Sequence, residues 1–358
     1  HINIEDCQLH EIGSWRALMP MNGTNAITGV GISLQNSSNV TIRGCDFARM
    51  RNPVSLKVAT GGLVSNILCE DLSIHDHVVW GFDVAPRSAN GEFRDVLFSN
   101  CRLYDWIQTD LWQGSGDKPH RDGWFFRHDY VGTLWTRVRI TRAKVWNDFP
   151  EWINSRGGTA SIYISQGPSL QIDNCIFLND PHGNGIITIG GSNKSGQDQF
   201  VYILNNTFVC GARPVYCSGS CQANVVKVLN NVIYRDVTIN NLPAVQKPAA
   251  YPLSFECDYN LYYTNSNLTT WRMAHDGSYR TFAQWQALGH DTHSYVANPS
   301  FTSRTGDAGT WDLTLQPTSL AIDTGLNIGA DYGYTHDYAG SARSTPWDLG
   351  ALQYGTVV

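Results

Sequence analysis

The sequence predicts an all-β fold, a right-handed parallel β-helix, on three observations. Apolar residues recur in one pattern nine times; the same corner carries Asn, Asp or Gly in seven of the nine repeats; and another short strand lies between repeats. The pattern is two inward residues two apart, a step of three, then two more. A period of two is a strand with one buried face, and a step of three is a corner that keeps the same inside.

In chain order the inward sets are Ile2, Ile4, Cys7, Leu9; Val40, Ile42, Cys45, Phe47; Ile67, Cys69, Leu72, Ile74; and Val96, Phe98, Cys101, Leu103. Val138, Ile140, Ala143, Val145; Leu170, Ile172, Cys175, Phe177; and Val201, Ile203, Asn206, Phe208 follow. Val226, Val228, Asn231, Ile233 and Phe255, Cys257, Asn260, Tyr262 complete them. The residue before each third position is Asp6, Gly44, Asp71, Asn100, Arg142, Asn174, Asn205, Asn230 or Tyr259. Asn, Asp and Gly tolerate a left-handed backbone, which a sharp corner needs. The third positions read as an internal ladder, so Cys7, Cys45, Cys101 and Cys175 are packing residues.

The intervening strands are GVGISL (29–34), GFDV (81–84), GWFF (123–126), SIYI (161–164) and GIITI (185–189). Each turn therefore has about three strands, stacked on its neighbours as in a solenoid. Residues 1–262 are expected to form coils, and 263–358 a closing segment with a short helix at TFAQWQAL (281–288) and final strands.

The net charge of −6 carries no nucleic-acid footprint, and no apolar run reaches the ~20 residues of a membrane span. The chain begins at His1 inside a strand, which predicts a processed chain or a fragment, with an unpaired sheet edge open to self-association. Cys210 is expected to pair with Cys221 or Cys217, as in a secreted or cell-surface protein, or else all three are buried thiols.

The coil pattern, with NPSF (298–301), DLTLQPTSLAIDTG (312–325) and DLGALQY (348–354), resembles the pectate-lyase-like right-handed β-helix superfamily and its secreted bacterial members. That resemblance implies the fold, and a range of activities from polysaccharide lyase and hydrolase to epimerase, tailspike and non-catalytic surface protein. The Asp pairs and Gly-His-Gly of the polygalacturonase branch are missing, as is a clear calcium-binding Asp cluster; a bound calcium stays open.

Candidate chemistry falls on insertions, which in a solenoid gather on one side. PHRDGWFF (119–126) aligns with PHGNGIITI (181–189) two coils on. His120 and His182 then stand in one column, roughly 10 Å apart, with Asp122 and Asn184 beside them. Arg137, Arg139 and Lys144 point outward, Arg142 occupies a corner, and Lys144 stacks on Arg102. Adjacent like charges call for an acidic partner, and an anionic sugar is one. Trp106, Trp112, Trp124, Trp146 and Trp152 offer flat faces for sugar rings.

The expected function is action on an acidic polysaccharide, by β-elimination or hydrolysis. Catalysis is assigned to His120, Asp122, Lys144, His182, Arg102 and Arg142, and substrate binding to Trp112, Trp124, Trp146, Trp152 and Arg139, with no metal assigned. Arg or Lys neutralises the uronate carboxylate, and His120, His182 or Lys144 removes the neighbouring proton. Asp180–His182 also resembles the Asp-Pro-His of mannuronan C5-epimerases. A hydrolase would instead use two carboxylates from Asp110, Asp117, Asp122, Asp148, Glu151 and Asp180. Glycan binding without turnover and a filament-forming surface protein are the alternatives.

Overall fold

The computed structural model describes residues 1–10, 29–50, 52–76, 80–105, 122–146, 160–178, 185–191, 198–211, 213–235, 243–249, 252–264 and 273–357. They form a right-handed parallel β-helix of three long sheets, with nine, ten and ten strands. Each coil contributes in turn to the first sheet (Ser38–Arg43, for example), the second (Asp46–Ala48) and the third (Asn52–Val58).

The inward pattern becomes register. Ile4, Ile42, Cys69, Phe98, Ile140, Ile172, Ile203, Val228 and Cys257 are successive Cα partners along the first sheet. From Ile42 onward every member is buried. Ile2 is 58% exposed and Ile4 half-buried, because their strand pairs on one side only. All nine corner residues have positive φ, between 49° and 64°, including Arg142 and Tyr259. The corner dictates the conformation there even where the residue type does not favour it.

Inside the next position, buried Asn206, Asn231 and Asn260 form a ladder. Each side-chain oxygen accepts the backbone N–H of the rung before it (Cys175, Asn206 and Asn231), at 2.9 Å every time. Each amide donates back to a carbonyl of Ile172, Ile203 or Val228. The corner groups that would otherwise be buried without partners are satisfied in this way. The ladder ends on Asp291, which takes the Asn260 amide at 2.9 Å.

The closing segment does more than cap the end. Residues 273–296 close the last coil, with helix Phe282–Gln286 set by a capping box between Thr281 and Gln284, and Trp285 fully buried. The following residues turn back along the outside of the coils, over the corner between the first and second sheets. Consecutive corner side chains hold this strap: Asn230 donates to Leu326 O (2.7 Å), Asn205 to Asp348 O (3.0 Å), and Asn174 accepts from Arg343 Nη2 (2.6 Å). Cys210, Cys217 and Cys221 are buried thiols that form no disulfide, the second of the two alternatives the sequence left open. Among the described residues no helix is long and apolar enough to cross a membrane.

Candidate functional site on the third sheet

The basic column expected to bind an anionic sugar is already occupied by the protein. Arg139 makes two bonds to Asp173 (2.6 and 2.7 Å) and reaches Gly333 O of the strap, and burial does not stop that carboxylate from raising its pKa. Arg137 is paired with Asp95. Lys144 is the Cα partner of Arg102, as the repeat implied, but its ammonium donates to Gly309 O at 2.6 Å. Arg142 turns its corner at φ 54° and donates to Ser99 Oγ. Arg102 stays exposed on the second sheet.

The tryptophans divide similarly. Trp124 is fully buried, stacked on Phe82 at 5.2 Å, and is a core residue with no sugar face. Trp146 stacks on Tyr104 at 4.5 Å, and the strap lies so close that a Cβ on Gly309 would be 2.8 Å from its Nε1. Asp122 opens a third-sheet strand, where it is buried and accepts the Ala160 N–H at 2.9 Å. Arg102, Arg142, Lys144, Trp146 and Arg139 therefore lie on other faces of the solenoid from Asp122 and form no common site with it. His120, His182, Trp112 and Trp152, with Trp106 and Asn184, lie outside the described residues.

A different constellation stands on the outer face of the third sheet. The connections that enter this sheet include the long ones at 11–29, 105–121 and 147–159. Alternation builds the site: Val54, Leu56 and Val58 point into the core, leaving Ser55 and Lys57 outside. On the next strand Phe82 and Val84 go in and Asp83 out; on the next Trp124 and Phe126 go in and Phe125 and Arg127 out. Register makes Ser55 the Cα partner of Asp83, and Asp83 that of Phe125.

Ser55, Lys57, Asp83 and Arg127 line a cleft of about 610 Å³ with Asn52, Trp80, Arg87, Asp129 and Tyr130. Lys57 and Asp83 are only 5% and 3% exposed, although both point away from the core. Lys57 Nζ lies 2.5 Å from Asp83 Oδ2, and Arg127 Nε lies 3.9 Å from Asp83 Oδ1, so two cations flank one carboxylate. The Arg127 guanidinium also sits over Trp80 (5.4 Å) and Phe125 (5.6 Å), whose rings stack at 4.9 Å. Burial pushes the Lys57 ammonium down to about 8; Asp83 opposes this, and Arg127 and Arg87 add to it.

Five buried polar atoms of the cleft have no well-formed hydrogen bond among the described residues: Asn52 Oδ1, Lys57 Nζ (in ionic contact with Asp83), Trp80 Nε1, Asp83 Oδ1 and Arg127 Nε. Such atoms are destabilising unless something fills the cleft to meet them. Three cations face two carboxylates here (Lys57, Arg87 and Arg127 against Asp83 and Asp129), so the cleft has an excess positive charge. A second cleft, of about 740 Å³, lies on the first sheet between Trp135 and Tyr202, but its charged Arg137 is already paired with Asp95. Among the described residues no group of three or more His, Cys, Asp or Glu is arranged to hold a metal ion.

Lys57, Asp83 and Arg127 were missed in the sequence because each looks like an ordinary outward residue of a strand. The available signal was their coincidence: a lysine, an aspartate and an arginine at outward positions of three adjacent coils. The chain matches no protein-family model, and no curated protein is significantly similar to it. The class that fold and site define is a parallel β-helix protein with a positively charged, aromatic-walled cleft on one sheet.

Proposed function

We propose that the third-sheet cleft binds an anionic polysaccharide and cleaves it by β-elimination, with Lys57 as the base. The observation that carries this reading is the cluster of buried Lys57 and Asp83 with half-buried Arg127. It joins a lysine that is partly neutral near pH 7 to an arginine set beside stacked aromatic rings. The resemblance of the coil pattern to the pectate-lyase-like superfamily supports the same class of substrate.

In this reading Arg127, whose Nη1 lies 3.2 Å from Asp129 Oδ2, exchanges that partner for the uronate carboxylate, whose two oxygens its planar fork matches. That interaction stabilises the negative charge that builds up when the adjacent C–H bond breaks. The Lys57 amine accepts the proton. The electron pair forms the new C=C bond, the bond to the glycosidic oxygen breaks, and that oxygen leaves protonated by water or a neighbouring hydroxyl. Asp83 holds the Lys57 amine in place before transfer and pairs with the ammonium formed by it. A base must be deprotonated to act, so kcat/KM is expected to rise about tenfold per pH unit below pH 8 and to level off above it.

The test is absorbance near 235 nm during incubation with a panel of uronate polysaccharides. A rise that Lys57→Met abolishes, with the variant's thermal transition retained, would support the reading. A rise unchanged in Lys57→Met would remove Lys57 from the mechanism. Binding with neither unsaturated product nor new reducing ends would make the protein a glycan-binding module.

A further inference from the structure

We propose that the same face carries a second anion-binding subsite, formed by Arg213, Tyr216 and Gln246, which takes a carboxylate of the same polysaccharide several sugars away from the cleft. This rests on the reading of the cleft as an anionic-glycan site and gives the ligand a length and a direction.

Outward residues of the third sheet continue past the cleft in one line. Asp83, Phe125, Tyr163, Thr188, Tyr216 and Gln246 are successive Cα partners. Four strand spacings separate Asp83 from Tyr216, which is about 19 Å along the solenoid axis. The line is walled by aromatic side chains, with Phe125 and Tyr163 rings 5.6 Å apart. Glycine keeps part of it low: a Cβ on Gly190 would come within 3.2 Å of both Tyr163 Oη and Ser218 Oγ.

At the far end Arg213 lies over the Tyr216 ring at 4.5 Å. Its Nη1 donates to Gln246 Oε1 at 3.3 Å, a long bond to a neutral acceptor. Its Nε is buried and has no hydrogen-bond partner among the described residues. No carboxylate is paired with Arg213 among the described residues, whereas Arg137 and Arg139 each hold one. An arginine fixed by a ring on one side, with an unmet buried donor at the end of this line of outward residues, is arranged to receive a planar anion. Arg127 is bound to its aromatic pair in the same way at the other end. One chain bearing a carboxylate on every sugar can satisfy both, and a monosaccharide cannot.

The experiment is calorimetric titration of size-defined uronate oligosaccharides into the Lys57→Met protein, which keeps the chain intact during measurement. Affinity is expected to step up once the oligomer is long enough to span the two arginines. Arg213→Gln should erase the step, weakening the long oligomer roughly tenfold or more while leaving the shortest binder unchanged. Arg213→Lys, which keeps the charge but not the planar stack, should recover only part of it and serves if the Gln variant folds poorly. Equal affinity of wild-type Arg213 and both variants for the long oligomer would overturn the subsite. No binding at any length would overturn both the subsite and the cleft's assignment. A step in affinity without any unsaturated product from the Lys57 protein would keep the subsite and remove the lyase.

Discussion

Asp291→Ala is expected to destabilise the protein by about 3–5 kcal/mol, among the largest effects of any single substitution outside the cleft. Its fully buried carboxylate collects the Trp285 indole N–H (2.7 Å), the Tyr262 hydroxyl (2.9 Å), the Asn260 amide (2.9 Å), the Ser294 hydroxyl (2.5 Å) and the Cys257 thiol (3.1 Å). Alanine would leave these donors buried without an acceptor, and each orphaned group costs about 1–3 kcal/mol before relaxation. The loss falls at the end of the asparagine ladder. A solenoid is held by contacts between neighbouring coils, so fraying should start there. Asp291→Asn keeps one acceptor oxygen and should lose about half as much. Urea unfolding followed by tryptophan fluorescence measures both. A loss below about 1 kcal/mol for the alanine variant would mean that apolar burial of Trp285 alone holds the cap.

The coils were legible in the sequence because they obey a strict inside–outside code. Ile42, Cys69, Phe98 and their successors had to alternate, and one slip would have exposed the whole set. The left-handed corner was legible from seven residues, and the structure extends it to Arg142 and Tyr259. What those corner side chains do was not legible. Asn174, Asn205 and Asn230 also hold a strap that lies between 96 and 169 residues away in sequence. Their partners there are backbone carbonyls, the Leu326 N–H, the Tyr334 hydroxyl and one arginine, which carry no sequence signature. Because nothing in the sequence signals the path of the strap, Arg139 and Lys144 read as waiting for a ligand, while Asp173 and Gly309 satisfy them. The cleft escaped for a related reason. Outward positions of a strand normally face water, and nothing in NPVSLKV says that Lys57 is buried.

That burial separates stability from function in a second large effect. Asp83→Leu alone is expected to destabilise by about 3–5 kcal/mol, because it leaves the Lys57 ammonium buried beside Arg127 with no carboxylate between them. The double variant Lys57→Met with Asp83→Leu should return to wild-type stability or exceed it by up to about 4 kcal/mol, since two desolvated charges are exchanged for apolar volume. The same pair gives a pH signature. The Lys57 ammonium titrates at about 8 in the folded chain against 10.5 in the unfolded one. The unfolded state therefore binds more protons between those values, and wild-type stability should rise with pH across that window. The rise should be smaller in any variant carrying Lys57→Met. Denaturant titrations at pH 7, 8 and 10 measure all of this, and 235 nm assays on the same samples measure turnover. If the double variant is stable, loses the pH-dependent rise and is inactive, the ion pair is retained for chemistry at the expense of the fold. If the double variant unfolds as readily as Asp83→Leu, the pair is a structural tie of the third sheet, and the base must be sought elsewhere in the cleft.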